Sequence, residues 1–208
     1  MGNPQVRAVL WDFGGVLSTS PFDAFAAYEE AHGLEPGFIR RLNATNPDTN
    51  AWARLERSEV TAEEFAARFE SEAEEAGGKV EAAAVLAALR GQLRPAMVRA
   101  VERCHEHLKT ALLTNNFVTG EHSPMPNEVL DLFDVVVESS KVGYRKPDPR
   151  FYEIACELLE VEPAEAVFLD DLGINLKPAR ALGMRTIKVD DPAEARRELQ
   201  RIVGFQLA

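Results

Sequence analysis

The sequence predicts an α/β fold: a parallel sheet covered by helices on both faces, with an all-helical unit inserted directly after the first strand. Three observations predict it. A short apolar run over residues 6–11 ends abruptly in Asp12, followed by Gly14-Gly15. From Ser20 to about Arg90 the composition turns to Ala, Glu and Arg with scattered Phe and Leu, and no strand-like run appears. Beyond Pro95, buried-looking apolar runs alternate with helical patterns, which is the rhythm of parallel βαβ units.

Composition sets the outer bounds. A chain of 208 residues can bury a full core and still carry a large insertion, and 46% hydrophobic with 27% charged residues is the balance of a soluble globular protein. Acidic residues outnumber basic ones by 34 to 23, for a net charge of −11, which argues against a general nucleic-acid or anionic-membrane surface while leaving room for a small anion pocket. No apolar run reaches the roughly 18 residues of a membrane span, and no basic-then-apolar signal segment opens the chain. Met1-Gly2-Asn3 invites myristoylation, but Val6 stands where that motif wants Ser or Thr. A cytoplasmic protein with no membrane or nucleic-acid partner is expected, with monomer and homodimer both open. Cys104 and Cys156 share no metal-type spacing and fit a reduced compartment. Cys104, His105 and His107 cluster on one helix, but a metal site there needs two further ligands, and helix-surface polar residues are the preferred reading.

The elements follow in order. Val, Leu and Trp in residues 6–11 suit an interior strand, and Gly14-Gly15 lets the chain turn sharply with its backbone open to a ligand. Phe22, Phe25, Ala26 and Tyr28-Glu29 mark a first helix stopped near Gly33, and Phe38, Ile39 and Leu42 a second that breaks at Asn46-Pro47-Asp48. Thr61 with Glu64 is a capping box before Phe65, Ala66 and Phe69, and Gly77-Gly78 ends that helix. Val80 to Leu89 is a further helix closed by Gly91. The ends of this inserted unit must return to nearly the same place. A helix over Ala96 to Leu108 precedes a strand over Thr110 to Thr114 that ends in Asn115-Asn116. A loop with Pro124 and Pro126 leads to a short helix through Leu130 and Leu132, then a strand over Phe133 to Glu138. A helix over Asp148 to Leu159, a strand over Ala166 to Asp171, a helix over Asn175 to Leu182, a strand over Arg185 to Val189 and a helix over Pro192 to Val203 complete the chain.

Four polar endings then fall on one edge of the sheet: Asp12, Thr114-Asn115, Lys146 in the loop beyond the third strand, and Asp170-Asp171. Singly they read as a surface lysine, a capping threonine and helix-starting acids. Converging, they suggest phosphoryl transfer. Asp12 and Asp171 suit a hard cation such as Mg²⁺, which prefers carboxylates, waters and substrate oxygens. Thr114, Asn115 and Lys146 would grip the remaining phosphate oxygens while the Asp12 carboxylate attacks phosphorus. Lys146 is also expected to keep Asp12 ionised.

These residues resemble the motifs of the haloacid dehalogenase-like (HAD) hydrolase superfamily over nearly the whole chain. WDFGGVL resembles the nucleophile motif, LLTNN the second, the Lys of YRKPDPRFY the third, and FLDDLGINLKPARALGM the acidic fourth. Within the superfamily the chain most resembles the phosphatase-like N-terminal domains of soluble epoxide hydrolase and of acyl-CoA dehydrogenase family member ten. The resemblance implies a Rossmann-like three-layer core over residues 1–17 and 91–208, with a helical cap over 18–90. It implies Mg²⁺ on Asp12, Asp171 and the Gly14 backbone carbonyl, Asp12 as nucleophile, and Asp170 and Asn175 supporting the metal. The implied activity is hydrolysis of a small organic phosphate through an aspartyl-phosphate.

One position departs from the pattern. Phosphatases of this superfamily usually carry a second Asp two residues after the nucleophile as general acid and base, and here that residue is Gly14. General acid–base catalysis typically contributes about 10²–10⁴-fold, so slow turnover, a preference for easy leaving groups, or a proton supplied by the substrate or a cap residue is expected. A 2-haloacid dehalogenase, whose halide needs no proton, and a catalytically weak phosphate-binding or scaffold module are the competing readings. Phe22, Phe25, Phe38 and Trp52 are candidate specificity residues of the cap, although aromatics on helix faces are more often core.

Overall fold

The computed structural model describes residues 5–89, 91–117 and 126–207. Met1-Gly2-Asn3, Arg90 and the Pro124 part of the expected loop lie outside the described residues. Five parallel strands, β1 (Ala8–Trp11), β2 (Lys109–Thr114), β3 (Val135–Glu138), β4 (Ala166–Asp170) and β5 (Arg185–Lys188), form one sheet in the order β3-β2-β1-β4-β5. The chain builds β1, β2 and β3 outward on one side, then crosses to lay β4 and β5 on the other. The order therefore reverses beside β1, and such a switch point opens a crevice at the carboxyl ends of the strands. Trp11 pairs with Leu169, so Asp12 stands level with Asp170 at that crevice.

The helices are α1 (Pro21–His32), α2 (Phe38–Ala44), α3 (Ala51–Glu56), α4 (Ala62–Glu75), α5 (Ala82–Ala88), α6 (Pro95–His105), α7 (Asn127–Leu130), α8 (Ser139–Val142), α9 (Pro149–Leu159), α10 (Gly173–Ala181) and α11 (Pro192–Val203). Successive strand residues face opposite sides. Val9, Trp11, Val167 and Leu169 pack with Met97 and Val101 of α6 and Leu199 of α11. Ala8, Leu10 and Phe168 pack with Phe151 and Tyr152 of α9 and Leu176 of α10. The sheet is thus the middle of three layers.

Helices α1 to α5 all fall between β1 and α6, and they share a third apolar cluster of their own that includes Phe25, Ile39, Trp52, Phe65, Phe69 and Val85. Gly33, in the left-handed region at φ 65°, ends α1, and the Thr61–Glu64 capping box opens α4 as its spacing predicts. At the base of the insertion Ser18 and Leu93 form an antiparallel bridge, and the Arg94 N–H donates to the Leu17 carbonyl at 2.7 Å. The chain thus enters and leaves the insertion side by side.

Several boundaries differ from the sequence reading. Helices α3 and α8 were not expected, because six and four residues are too short to display a helical period. Helix α6 stops at His105 where the pattern suggests Leu108: the Cys104 carbonyl takes both the His107 and the Leu108 N–H in a closing turn, and β2 begins at Lys109. Helix α10 starts two residues before Asn175, and β3 starts two residues after Phe133. The aromatic candidates Phe25, Phe38 and Trp52 are buried in the cluster of the insertion, and Phe22 lies half-buried under the Arg40 guanidinium.

Candidate active site

Asp12 follows β1 immediately, where the strand ends and a single wide turn over Phe13–Leu17 begins. Its Oδ1 accepts from the Phe13 N–H at 2.7 Å and meets the Lys146 ammonium at 2.6 Å. Lys146 Nζ also donates to Asp170 Oδ2 at 2.9 Å. A lysine that could have been solvated is only 2% exposed and is wedged between two carboxylates. Asp170 is fully buried and saturated: Oδ1 takes the Leu172 N–H at 2.8 Å, and the Asn175 amide reaches both oxygens at 3.1 Å. Tyr152 in turn donates to the Asn175 carbonyl at 2.7 Å. Asp12, Asp170 and Asp171 offer carboxylate oxygens that all lie within 4.8 Å of one another.

The electrostatics follow from this crowding. Burial pushes the Asp12 carboxyl up to about 8; Lys146 opposes that rise, and Asp170 and Asp171 add to it. Burial and the neighbouring Asp170 push Asp171 up to about 6. Desolvation works against the Lys146 charge, but Asp12 and Asp170 outweigh it and hold the ammonium more firmly than usual. Lys146 acts on Asp12 in the expected direction, towards the ionised form, but does not act alone. The ammonium is shared with Asp170, and burial costs the Asp12 carboxylate more than the shared charge returns.

Thr114 ends β2, in register with Glu138 of β3 and partly exposed at the same sheet edge. The Asn115 side chain is engaged with its neighbour. Its Oδ1 accepts from the Lys146 N–H at 2.9 Å and its Nδ2 donates to the Lys146 carbonyl at 3.0 Å, so its amide clamps the backbone of the lysine. Asn116 was overlooked. Its Nδ2 donates to Glu138 Oε1 at 2.8 Å and its Oδ1 accepts from Ser140 Oγ at 2.9 Å, tying the end of β2 to the start of α8. The doubled asparagine was the available signal: two adjacent amides after a buried strand can fix two neighbouring segments.

The two glycines also divide their work. Gly14 has φ −68° and ψ 129°, ordinary for any residue. Gly15 has φ +77°, and a Cβ there would lie 2.2 Å from Asp171 Oδ2, so the Asp171 carboxylate occupies the space a side chain would need. The Cys104 and His105 pattern forms no such centre. Cys104 is buried with its thiol pushed up to about 12, and His105 Nδ1 lies 3.2 Å from Thr110 Oγ1. Both cysteines are free, and no helix of the described residues is long and apolar enough to cross a membrane.

A Rossmann-like sheet with an acid after its first strand, a buried lysine and an acidic pair after its fourth defines a hydrolase of the HAD class. The family model for haloacid dehalogenase-like hydrolases matches residues 6–183, and the chain belongs to that family. Among curated relatives, acyl-CoA dehydrogenase family member 10 of Mus musculus is 38% identical over 99% of this chain and 20% of its own length. Bifunctional epoxide hydrolase 2 of Sus scrofa is 33% identical over 97% of this chain and 40% of its own. The chain thus spans one fifth and two fifths of those relatives. Phosphatase MT3486 of Mycobacterium tuberculosis is 38% identical over 50% of this chain and 47% of its own. In fold, the chain is similar to a HAD family enzyme of Bacteroides thetaiotaomicron crystallised with magnesium and inorganic phosphate, with a TM-score of 0.62, 21% identity, and coverage of 91% of this chain and 98% of that one.

Proposed function

We propose that this chain is a Mg²⁺-dependent phosphatase of small organic phosphate monoesters, with residues 18–90 acting as a cap over a core formed by residues 1–17 and 91–208. The observation that carries the reading is the buried Lys146 ammonium held between Asp12 and Asp170 beside Asp171. The donor set fits a hard divalent cation. Asp170 is saturated by hydrogen bonds and supports from behind with Asn175, so Asp12 and Asp171, with the Gly14 carbonyl, are the groups to hold it. Bound there, the ion would relieve carboxylate repulsion and neutralise phosphate charge. Lys146 and Thr114 orient the phosphoryl oxygens, and Asn115 fixes the backbone from which Lys146 reaches.

The Asp12 carboxylate attacks phosphorus as the ester P–O bond breaks, giving an aspartyl-phosphate and an alkoxide or aryloxide that takes its proton from water. Water then releases orthophosphate and restores Asp12. Gly14 offers no side chain to protonate the leaving oxygen, so esters of acidic alcohols turn over best. The net charge of −11 supports a small-molecule substrate over nucleic acid or membrane, and the reading takes the protein as cytoplasmic, as monomer or homodimer. A panel of aryl and alkyl phosphates with Mg²⁺ or with EDTA tests it. Metal-dependent orthophosphate release is expected. Metal-independent halide release from 2-haloacids would replace it with dehalogenase chemistry, and phosphate binding without turnover would leave a binding module.

A further inference from the structure

Helix α3 brings a carboxylate of the insertion onto the segment that carries Lys146. Glu56, the last residue of α3, is buried, and its Oε2 lies 2.7 Å from Arg145 Nε, one residue before Lys146. The two charges are in contact although neither atom completes a well-aligned hydrogen bond. The other Glu56 oxygen accepts from the Trp52 indole N–H at 2.9 Å, which fixes the carboxylate on α3. Arg145 further donates to the Pro47 carbonyl at 2.8 Å, and Ser58 donates to the Ser140 carbonyl at 3.0 Å. Three residues of the insertion therefore grip residues 140–145, while Asn115 grips the Lys146 backbone from the sheet side.

Lys146 is thus aligned from both sides. We infer that Glu56 is a positioning residue of the cap that seats Lys146 through Arg145, so that the ammonium reaches Asp12 correctly only when α3 is docked on the core. This deepens the phosphatase reading and rests on it. The same seam includes an aromatic contact, Trp52 against Phe117 just beyond β2 at 6.0 Å between ring centroids. A junction of a few polar groups and one ring pair can open and reform where an extensive dry apolar seam would hold the insertion shut. It also couples two otherwise separate requirements. A cap that closes over a phosphate ester would at the same step bring the lysine into register, and misplacement by about 1 Å can cost about 10²-fold in rate.

The test uses the full chain with p-nitrophenyl phosphate and Mg²⁺, and the variants Glu56→Gln, Arg145→Gln and the double variant. Each single variant is expected to lower kcat/KM by at least about tenfold and to weaken orthophosphate inhibition. The double variant should be little worse than either single one, since both break one link. Glu56→Asp and Arg145→Lys, which keep the charges, should show smaller losses and supply folded proteins if the glutamines do not fold. If Glu56→Gln lowers the melting temperature but leaves kcat/KM and orthophosphate inhibition within twofold, the residue is structural and the inference is wrong. Hydrogen exchange over residues 142–146 keeps this separate from the phosphatase reading. Faster exchange in Glu56→Gln is expected even if the wild type proves inactive on every ester, and unchanged exchange would overturn the coupling on its own.

Discussion

Replacing Gly15 by alanine adds one methyl group, and the structure gives its consequences. At φ +77° an L-residue pays about 1–2 kcal/mol relative to glycine. The new Cβ would also lie 2.2 Å from Asp171 Oδ2 and 2.5 Å from its Cγ, where ordinary contact begins near 3.4 Å, so the carboxylate must retreat by about 1 Å. The backbone contribution alone should lower Tm by about 2–8 °C for a chain of this size. Displacing by that distance a carboxylate proposed to hold the metal should reduce kcat/KM by about 10²-fold and shift the Mg²⁺ midpoint upward. Gly14→Ala is the matched control. Gly14 has ordinary dihedrals, and its added Cβ would meet only the Pro21 ring, at 3.3 Å, so activity should stay within a few-fold of wild type. The assay is a Mg²⁺ titration of aryl-phosphate turnover for the three proteins, with melting curves alongside. If Gly15→Ala keeps more than a tenth of wild-type kcat/KM at an unchanged Mg²⁺ midpoint, the placement of Asp171 does not govern activity.

Other outcomes follow from the same geometry. Asp12→Asn should abolish turnover while leaving a folded protein, because an amide neither attacks phosphorus well nor holds Mg²⁺ as a carboxylate does; a tenth of wild-type activity remaining would exclude the covalent route. Lys146→Ala should lower kcat, raise KM and destabilise the fold by about 3–5 kcal/mol, since it leaves the buried Asp12–Asp170 pair without the cation they share; a denaturation midpoint equal to wild type would show that the ammonium is not bearing that charge. Asp12 and Asp171 have folded pKa values raised above 3.8, so the folded state retains protons that the unfolded chain releases, and metal-free stability should fall as pH rises from about 4 towards 8. Mg²⁺ bound as proposed on Asp12 and Asp171 would hold both groups ionised, so its increment in Tm should be larger at pH 8 than at pH 5, and an increment independent of pH would count against these ligands. Gly14→Asp is compatible with the backbone at φ −68° and should accelerate alkyl phosphates by up to about 10²-fold with little change on aryl ones; a wild-type rate insensitive to leaving-group pKa would show that another residue already donates the proton.

The sequence by itself determined the alternation of strands and helices, the helical insertion and the acids at the ends of β1 and β4, because those depend on local period and on where apolar runs stop. It also singled out Lys146, through the company it keeps in the third motif. Burial was beyond it: nothing near YRKPDP distinguishes a solvated lysine from one 2% exposed between two carboxylates. The roles of the doubled residues were decided by tertiary structure. Which glycine of Gly14-Gly15 must be a glycine depends on where Asp171 arrives from β4. Which atoms Asn115 and Asn116 bind depends on the course of residues 138–146 beside β2. Helix α3 left no periodic trace in six residues, and its Glu56 meets Arg145 only because the insertion folds back over the sheet edge. Local patterns record which face of a segment is buried, whereas the partner of a polar group is set by whatever the rest of the chain brings within about 3 Å of it.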